Sequence, residues 1–451
     1  MAGKAGFFKT VCSLAIPVAL QSMLQSSFSM IDQIMIGQLG EVCVAGVGLA
    51  GKFASIYSVV ISAIGAVAGI MIAQYLGQQN NAEVRRSFLV NLLLGMGIAG
   101  AFTVICALFP RQLMHIYTKD EATRQAATSY LLPLTATFIP MAGATLLSTA
   151  FRCAEKPLLP LCASILAACV NTGLNYILIL GKLGFAAMGV TGAAVATAVS
   201  QWINFLLMLV MAFRKLSILK AGDGAKAAAA RLNWRQYFSM LLPLLVCEVV
   251  WSLGENAYAV IYGHMGTDAS AAMTLSNPIQ GLVIGALCGL SQAASVIVGK
   301  RLGSEDYGDA YGAAKRLLAY GAVGSVILSA AVVLSSGLYV DIYQVETAVK
   351  VLTRQILFAY ALIAPFKVLN MILGGGIIRS GGRTKYVMLI DLIGTWCLGV
   401  PLGLLAAFVL KLSIPCVYFM LSLEECVRFG ISMVVFCKRK WMNRLKADAE
   451  M

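Results

Sequence analysis

Twelve times along this chain an apolar run of membrane-spanning length recurs almost free of charge. A helix needs about 20 such residues to cross the hydrocarbon core of a bilayer. Spans are predicted at 14–38, 45–77, 88–110, 126–150, 158–181 and 187–213, then at 237–262, 272–299, 314–337, 350–374, 385–408 and 412–437. In lipid each backbone N–H and C=O must be satisfied within its own segment, so these runs are read as helices. Composition agrees: 59% of residues are hydrophobic and 12% charged, with a mean hydropathy of +0.83. A soluble domain carries about 25% charged residues. The expected fold class is an all-α membrane protein of twelve transmembrane helices in two pseudo-symmetric six-helix lobes.

The longest polar stretch, "RKLSILKAGDGAKAAAARLNWRQ" at 214–236, reads as a linker. It separates an N-lobe, residues 1–213, from a C-lobe, 237–451, that ends in the basic tail "CKRKWMNRLK". With the N-terminus placed in the cytoplasm, 24 of the 34 Lys and Arg fall in connections and termini on that side, against seven in the opposite loops. This positive-inside bias puts both termini in the cytoplasm. It also accounts for the formal net charge of +14 without a nucleic-acid surface. The N-terminal "MAGKAGFFKTVC" leads into the first span with no small-residue cleavage site, so it is read as retained.

The chain also repeats. A shift of 226 residues lays Pro17 on Pro243, Gly37 on Gly263, Gly40 on Gly266 and Leu76–Gly77 on Leu302–Gly303, with no gap. Each half holds an even number of spans, so the halves point the same way and would be related by an axis along the membrane normal. That is a recognised transporter plan, with the substrate site between the lobes. A proline inside a span removes one helical hydrogen bond, so Pro17 and Pro243 are expected to let their helices bend.

Ionisable residues inside spans face a wet cavity or a partner, which makes each a candidate for function. They are Asp32, Lys52, Glu248, Glu255, Lys367, Asp391, Glu424, Glu425 and Arg428. Lys52, Glu424, Glu425 and Arg428 lie near span ends or within a turn of one another, where snorkelling or structural pairing is the simpler reading, and Asp391 leans the same way. Lys367 follows Pro365 and admits either role. Asp32 stands apart in "SMIDQIMIGQLG", the only charge in its run. A carboxylate there can take a proton, or a sodium ion if other oxygens help, and losing its charge would change which helix conformation is favoured.

At these residues the chain resembles the multidrug and toxic compound extrusion (MATE) transporters. The resemblance rests on "IPVALQ…MIDQIMIGQLG", "LGQQN", "FRCAEKP", "NTGLNYILILG" and "GVTGAAVATAVSQ". In the second half it rests on "LPLLVCEVVWSLGENAYAVIYGHMGTDASAA", "IIRSGGRTKYVMLIDL" and "GVPLG". It implies a multi-pass antiporter of the bacterial cytoplasmic (inner) membrane that expels cationic amphiphilic compounds in exchange for protons or sodium ions. By that resemblance Asp32 is the first-helix aspartate of the N-lobe cation site. Asn171 and Asn175 stand for its fifth-helix pair, the second being an aspartate in some members. Thr197, or alternatively Thr191, stands for the sixth-helix hydroxyl.

The C-lobe departs from the sodium-coupled branch. Eight residues after Pro243, where that branch carries a glutamate, stands Trp251, and the tenth-span aspartate is absent from "RSGGRTK". Glu248 and Glu255 instead lie seven apart around Trp251 and Ser252, a set suited to attracting an organic cation through charge and ring face.

Gly281, Gly285 and Gly289 read as a packing face, and Gly374–Gly376 as either a weak point or a hinge. The 12 cysteines lack paired spacing and read as small apolar residues. Neither a phosphate-binding loop nor a nucleophile–base motif is found, so no enzyme and no cofactor is expected. Expected partners are the bilayer and small organic cations, with no nucleic acid, no metal beyond a possible sodium at Asp32, and a monomeric state. The rival readings are a flippase for lipid-linked or polyanionic substrates, which Lys52 and Lys367 alone would serve, and a membrane-embedded enzyme.

Overall fold

The computed structural model describes residues 4–182, 184–216, 233–343 and 345–446. Most of the linker, 217–232, lies outside the described residues. Among these residues all regular structure is helical. The N-terminal half holds α1 (Lys4–Gly37), α2 (Glu41–Gly77), α3 (Asn81–Leu108), α4 (Pro110–Tyr117), α5 (Glu121–Leu134), α6 (Phe138–Cys153), α7 (Leu158–Leu180) and α8 (Gly189–Lys215). The C-terminal half holds α9 (Trp234–His264), α10 (Thr267–Gly303), α11 (Tyr307–Asp341), α12 (Thr347–Asn370), α13 (Thr384–Leu392), α14 (Val400–Leu404), α15 (Ile414–Ser422) and α16 (Glu424–Cys437).

Among the described residues, eleven helical segments are long and apolar enough to cross a membrane. The twelfth expected span, 412–437, is divided at Leu423, which closes a tight turn between α15 and α16. The Asn370 amide donates to the Glu425 carbonyl at 2.7 Å just past that turn, and a side chain inserted into the helical ladder is a common cause of such a break. Two other spans stay continuous by widening to i→i+5 turns. Met371–Ile378 prolongs α12 through Gly374–Gly376, while Ile393–Gly399 joins α13 to α14 and Leu405–Val409 prolongs α14.

Helix ends are set by capping more than by hydropathy. The third span starts at Asn81, not 88, because the Asn80 side chain accepts the Glu83 N–H at 3.2 Å. The same cap recurs 226 residues on, where Asp306 accepts from Asp309 N at 3.0 Å. Before each cap sits a left-handed residue, Gln79 and Glu305. Gly40 and Gly266 both have positive φ, +94° and +117°, and a residue with a Cβ would be strained there. The phased glycines of the repeat are therefore matching turns.

Leu76–Gly77 and Leu302–Gly303 match for a different reason. A Cβ on Gly77 would strike the Lys300 carbonyl, and a Cβ on Gly303 the Gln74 carbonyl. Since Gln74 and Lys300 are themselves one repeat apart, this is a reciprocal crossing of two helix ends. It affects how the chain divides. The described residues of Met1–Ala19, Ala73–Gln79 and Asn233–Met451 form one compact unit, those of Leu20–Ile72 and Asn80–Leu232 the other. The start of α1 and the end of α2 pack with the second half, at close contacts such as Gly289 against the Ala15 carbonyl.

Pro17 and Pro243 lie inside continuous helices. The ring of Pro243 leaves a carbonyl unbonded one turn earlier. Thr384 Oγ1 supplies hydrogen bonds there, donating to Met240 O at 3.0 Å and Ser239 O at 3.5 Å.

The basic tail is not a solvated run. Trp441 is fully buried and stacks on Phe436, centroids 5.8 Å apart. Gln74 donates to Ser380 O at 2.7 Å and Asn443 O at 3.1 Å, while its oxygen accepts Leu445 N at 2.7 Å. Gln78 donates to Leu445 O at 2.9 Å. The tail therefore straps the end of α2 to the loop after residue 380. We expect Trp441→Ala to cost about 3–5 kcal/mol, the usual loss on truncating a buried Trp. A clear drop in the thermal unfolding midpoint of purified protein checks this, and an unchanged midpoint contradicts it.

Candidate functional site

The N-lobe site is built on one face of α7. Asn171 and Asn175 are four apart, so their side chains lie one above the other on the helix, and both are buried. Opposite them, α1 presents the half-buried Asp32. Asn175 Nδ2 donates to Asp32 Oδ1 at 2.6 Å. With the Asn171 amide turned so that its nitrogen faces the carboxylate, that nitrogen donates to Asp32 Oδ1 at 2.9 Å and Oδ2 at 3.2 Å. The other end of that amide lies 3.4 Å from Thr197 Oγ1. The Thr197 hydroxyl donates to Ala193 O at 2.9 Å, which leaves its lone pairs free. Thr191 turns away, toward Ser129 O at 3.5 Å. Asp32, Asn171, Asn175 and Thr197 are thus brought together, and of the two threonines it is Thr197 that joins them.

This arrangement holds an anion through neutral N–H donors, with no cationic side chain paired to Asp32 among the described residues. Asn175 Oδ1 is buried without a hydrogen-bond partner, which is costly unless something occupies it. A proton would need only Asp32. A sodium ion would need further oxygens beside the Asp32 carboxylate, since hard cations take such ligands.

The C-lobe set is not brought together. Glu248 faces Arg379, Oε1 to Nη2 3.9 Å, away from Glu255. Trp251 is 49% exposed and does not line the C-lobe cavity. Seven residues along a helix fall slightly short of two full turns, and helix α13 packs against the Glu248 end of α9. Glu255 alone of the three reaches the cavity, of about 260 Å³, that opens within this unit.

The same cavity is lined by Glu424, Glu425 and Lys367, with Tyr258, Tyr262, Tyr360 and Tyr418. Glu424 and Glu425 are buried, so of the two expectations, snorkelling and structural pairing, it is pairing that the structure shows. Arg428 gathers the acids: it pairs with Asp391, lies 3.8 Å from Glu424 Oε1 and 3.5 Å from Glu425 Oε1. Cys247 Sγ donates to Asp391 Oδ2 at 2.7 Å, and Tyr258 OH to Glu424 Oε2 at 2.7 Å. One sequence signal did point here. Tyr258 lies 226 residues after Asp32, at the repeat-equivalent position.

The sequence profile of the MatE family matches residues 17–177 and 243–405, well over half of the chain and in both halves. The chain belongs to the MatE family. It is similar to the Uncharacterized transporter YisQ of Bacillus subtilis (strain 168), at 22% identity over 444 residues covering 96% of this chain and 94% of that protein. It is likewise similar to a Probable multidrug resistance protein NorM of Thermotoga maritima, at 23% over 443 residues, covering 97% and 93%. The Vibrio cholerae MATE transporter VcmN in its bent form superposes with TM-score 0.86 at 14% identity, covering 97% of each chain. A MATE in the straight conformation gives TM-score 0.86 at 17%, covering 96% and 95%. The fold is therefore that of the MATE transporters, twelve spans in two lobes, and this member is a multi-pass membrane transporter.

Proposed function

We propose that this MATE protein is a secondary antiporter of a bacterial inner membrane. It exports cationic amphiphilic compounds in exchange for a cation taken up at Asp32. The observation that carries this reading is the Asp32–Asn171–Asn175–Thr197 cluster: one carboxylate, held by neutral donors beside a buried, unpartnered amide oxygen. A negative site answered by no fixed positive charge is an uptake site for a mobile one. Arrival of a proton or sodium ion releases the Asn175 and Asn171 N–H groups from the carboxylate, which frees α1 from α7 and changes the state that substrate meets. Cation and substrate then disfavour one another, and linkage makes that disfavour reciprocal. Both termini are placed in the cytoplasm by the distribution of Lys and Arg, and the relatives carrying multidrug-resistance names support the substrate class.

The test is uptake of a fluorescent organic cation into proteoliposomes under an imposed pH gradient and, separately, an imposed sodium gradient. Uptake against its own gradient under one of them names the coupling ion. Equilibration without accumulation under both contradicts the antiport reading.

A further inference from the structure

The C-lobe cavity holds charges that the Asp32 cluster does not use, and they are unevenly answered. Glu424 receives Tyr258 OH at 2.7 Å and faces Arg428. Glu425 receives the Asn370 amide at 2.8 Å and faces Arg428 as well. Tyr360 OH donates to Gln280 O at 3.3 Å and Tyr418 OH to Gln280 Oε1 at 2.9 Å, so their rings are fixed walls. Three lining groups have no such tie. The Lys367 ammonium, the Glu255 carboxylate and the Tyr262 hydroxyl make no hydrogen bond and no ion pair within 4.0 Å among the described residues. Tyr262 is 8% exposed and lines the same cavity.

Unpaired ionic groups at membrane depth are expensive, and they persist where they face a pathway or a ligand. Here one free ammonium and one free phenol, both donors, stand in the same cavity as one free carboxylate. A ligand with positive charge alone would meet Glu255 but bring like charge to Lys367. A ligand with negative charge alone would meet Lys367 but face Glu255, Glu424 and Glu425. Like-charge juxtaposition is an effective way to reject a partner.

We propose that this cavity binds an organic zwitterion. Lys367 and Tyr262 take its acidic group, Glu255 takes its cationic centre, and the tyrosine rings hold the body between them. The proposal deepens the transporter reading by naming a substrate class, and it does not depend on Asp32 or on which ion is coupled.

Two xanthene dyes make a matched probe pair: rhodamine 110, with a free carboxyl group, and rhodamine 123, its methyl ester. Binding is read by fluorescence polarisation on the purified full chain in detergent, without any gradient. The wild type is expected to bind the free acid about tenfold more tightly than the ester, the scale of one discriminating ionic contact. Lys367→Met should abolish that preference and leave the ester bound at least as well. Tyr262→Phe should weaken the acid about threefold and spare the ester, as loss of one hydrogen bond does, and Glu255→Gln should weaken both. Equal wild-type affinity for the two dyes overturns the proposal, as does a Lys367→Met protein, folded by its thermal midpoint, that keeps the preference. If Lys367→Met does not fold, the wild-type ratio and Tyr262→Phe decide. Gradient-driven transport of tetraphenylphosphonium, a pure cation, and of rhodamine 110 is followed in parallel. If either is transported while neither dye binds, the zwitterion site is wrong and the transporter reading stands. If neither is transported, the transporter reading itself is at fault.

Discussion

Asp32→Asn should abolish uphill transport while leaving the protein folded. One-for-one exchange of a cation for a cationic substrate moves no net charge, so the ion gradient alone drives it, and a tenfold gradient, about 1.4 kcal/mol, supports a substrate ratio of about tenfold across the membrane. Without a titratable carboxylate that ratio should fall to about one. The substitution is close to isosteric, and its Oδ1 can still accept the Asn175 N–H that spans 2.6 Å in the parent. Packing between α1 and α7 should therefore be kept. Three readings in one preparation check this: the thermal midpoint, affinity for a fluorescent cation without a gradient, and accumulation under the driving gradient. We expect the first unchanged, the second within about tenfold and only the third lost, as for an interaction that matters in coupling rather than in uniform binding. Full accumulation by the Asn variant would reduce Asp32 to a hydrogen-bonding role.

Arg428→Met should be among the most destabilising single changes in the C-lobe. The guanidinium pairs with Asp391 and lies within 4 Å of Glu424 and Glu425. Both glutamates are almost fully buried, at 6% and 5% exposure. Removing one partner from a buried ionic group costs about 3–5 kcal/mol, because the others are left uncompensated. Lys367 is too distant to replace it, since it makes no ion pair within 4.0 Å among the described residues. The sign with pH follows from the charge left behind. The variant carries excess negative charge, so its deficit relative to the parent should shrink as pH falls and carboxylates take up protons. Adding Asp391→Asn should recover part of the loss. Melting curves of the three proteins at two pH values would settle it, and a deficit that grows on acidification would refute the account.

The spans were legible because hydropathy is a property of a single segment. Asp32 was legible for the same reason, as one charge in an apolar run. Its partners Asn171 and Asn175 are ordinary amides in a helix, and only the family resemblance drew attention to them. The C-lobe cluster was legible in part: Glu424, Glu425 and Arg428 pair as their spacing allows, but their other partners come from distant segments. Asp391 lies 37 residues from Arg428, and Tyr258 lies 166 from Glu424. Local spacing shows Glu424, Glu425 and Arg428 as an ordinary i, i+3, i+4 set, and nothing in it distinguishes a snorkelling group from a buried one. The set Glu248, Trp251 and Glu255 failed in the opposite way. Its spacing looked purposeful, but Arg379 on another helix takes the first acid. The packing of the tail was not legible from composition, since the basic residues conceal one Trp and the backbone groups that meet Gln74.

That tail sets an order of events at synthesis. The bond from Leu445 N to Gln74 spans 371 residues, so the end of α2 emerges long before the segment that covers it. At about 5–20 residues per second, the Gln74 and Gln78 amides wait about 20–75 s for their final partners. Chains stalled before Trp441 would expose the Phe436 ring and the α2 end together, a surface that proteases of the quality-control machinery can read as unfinished. Protection of the Ala73–Gln79 segment from cleavage should appear only once residue 445 has been added.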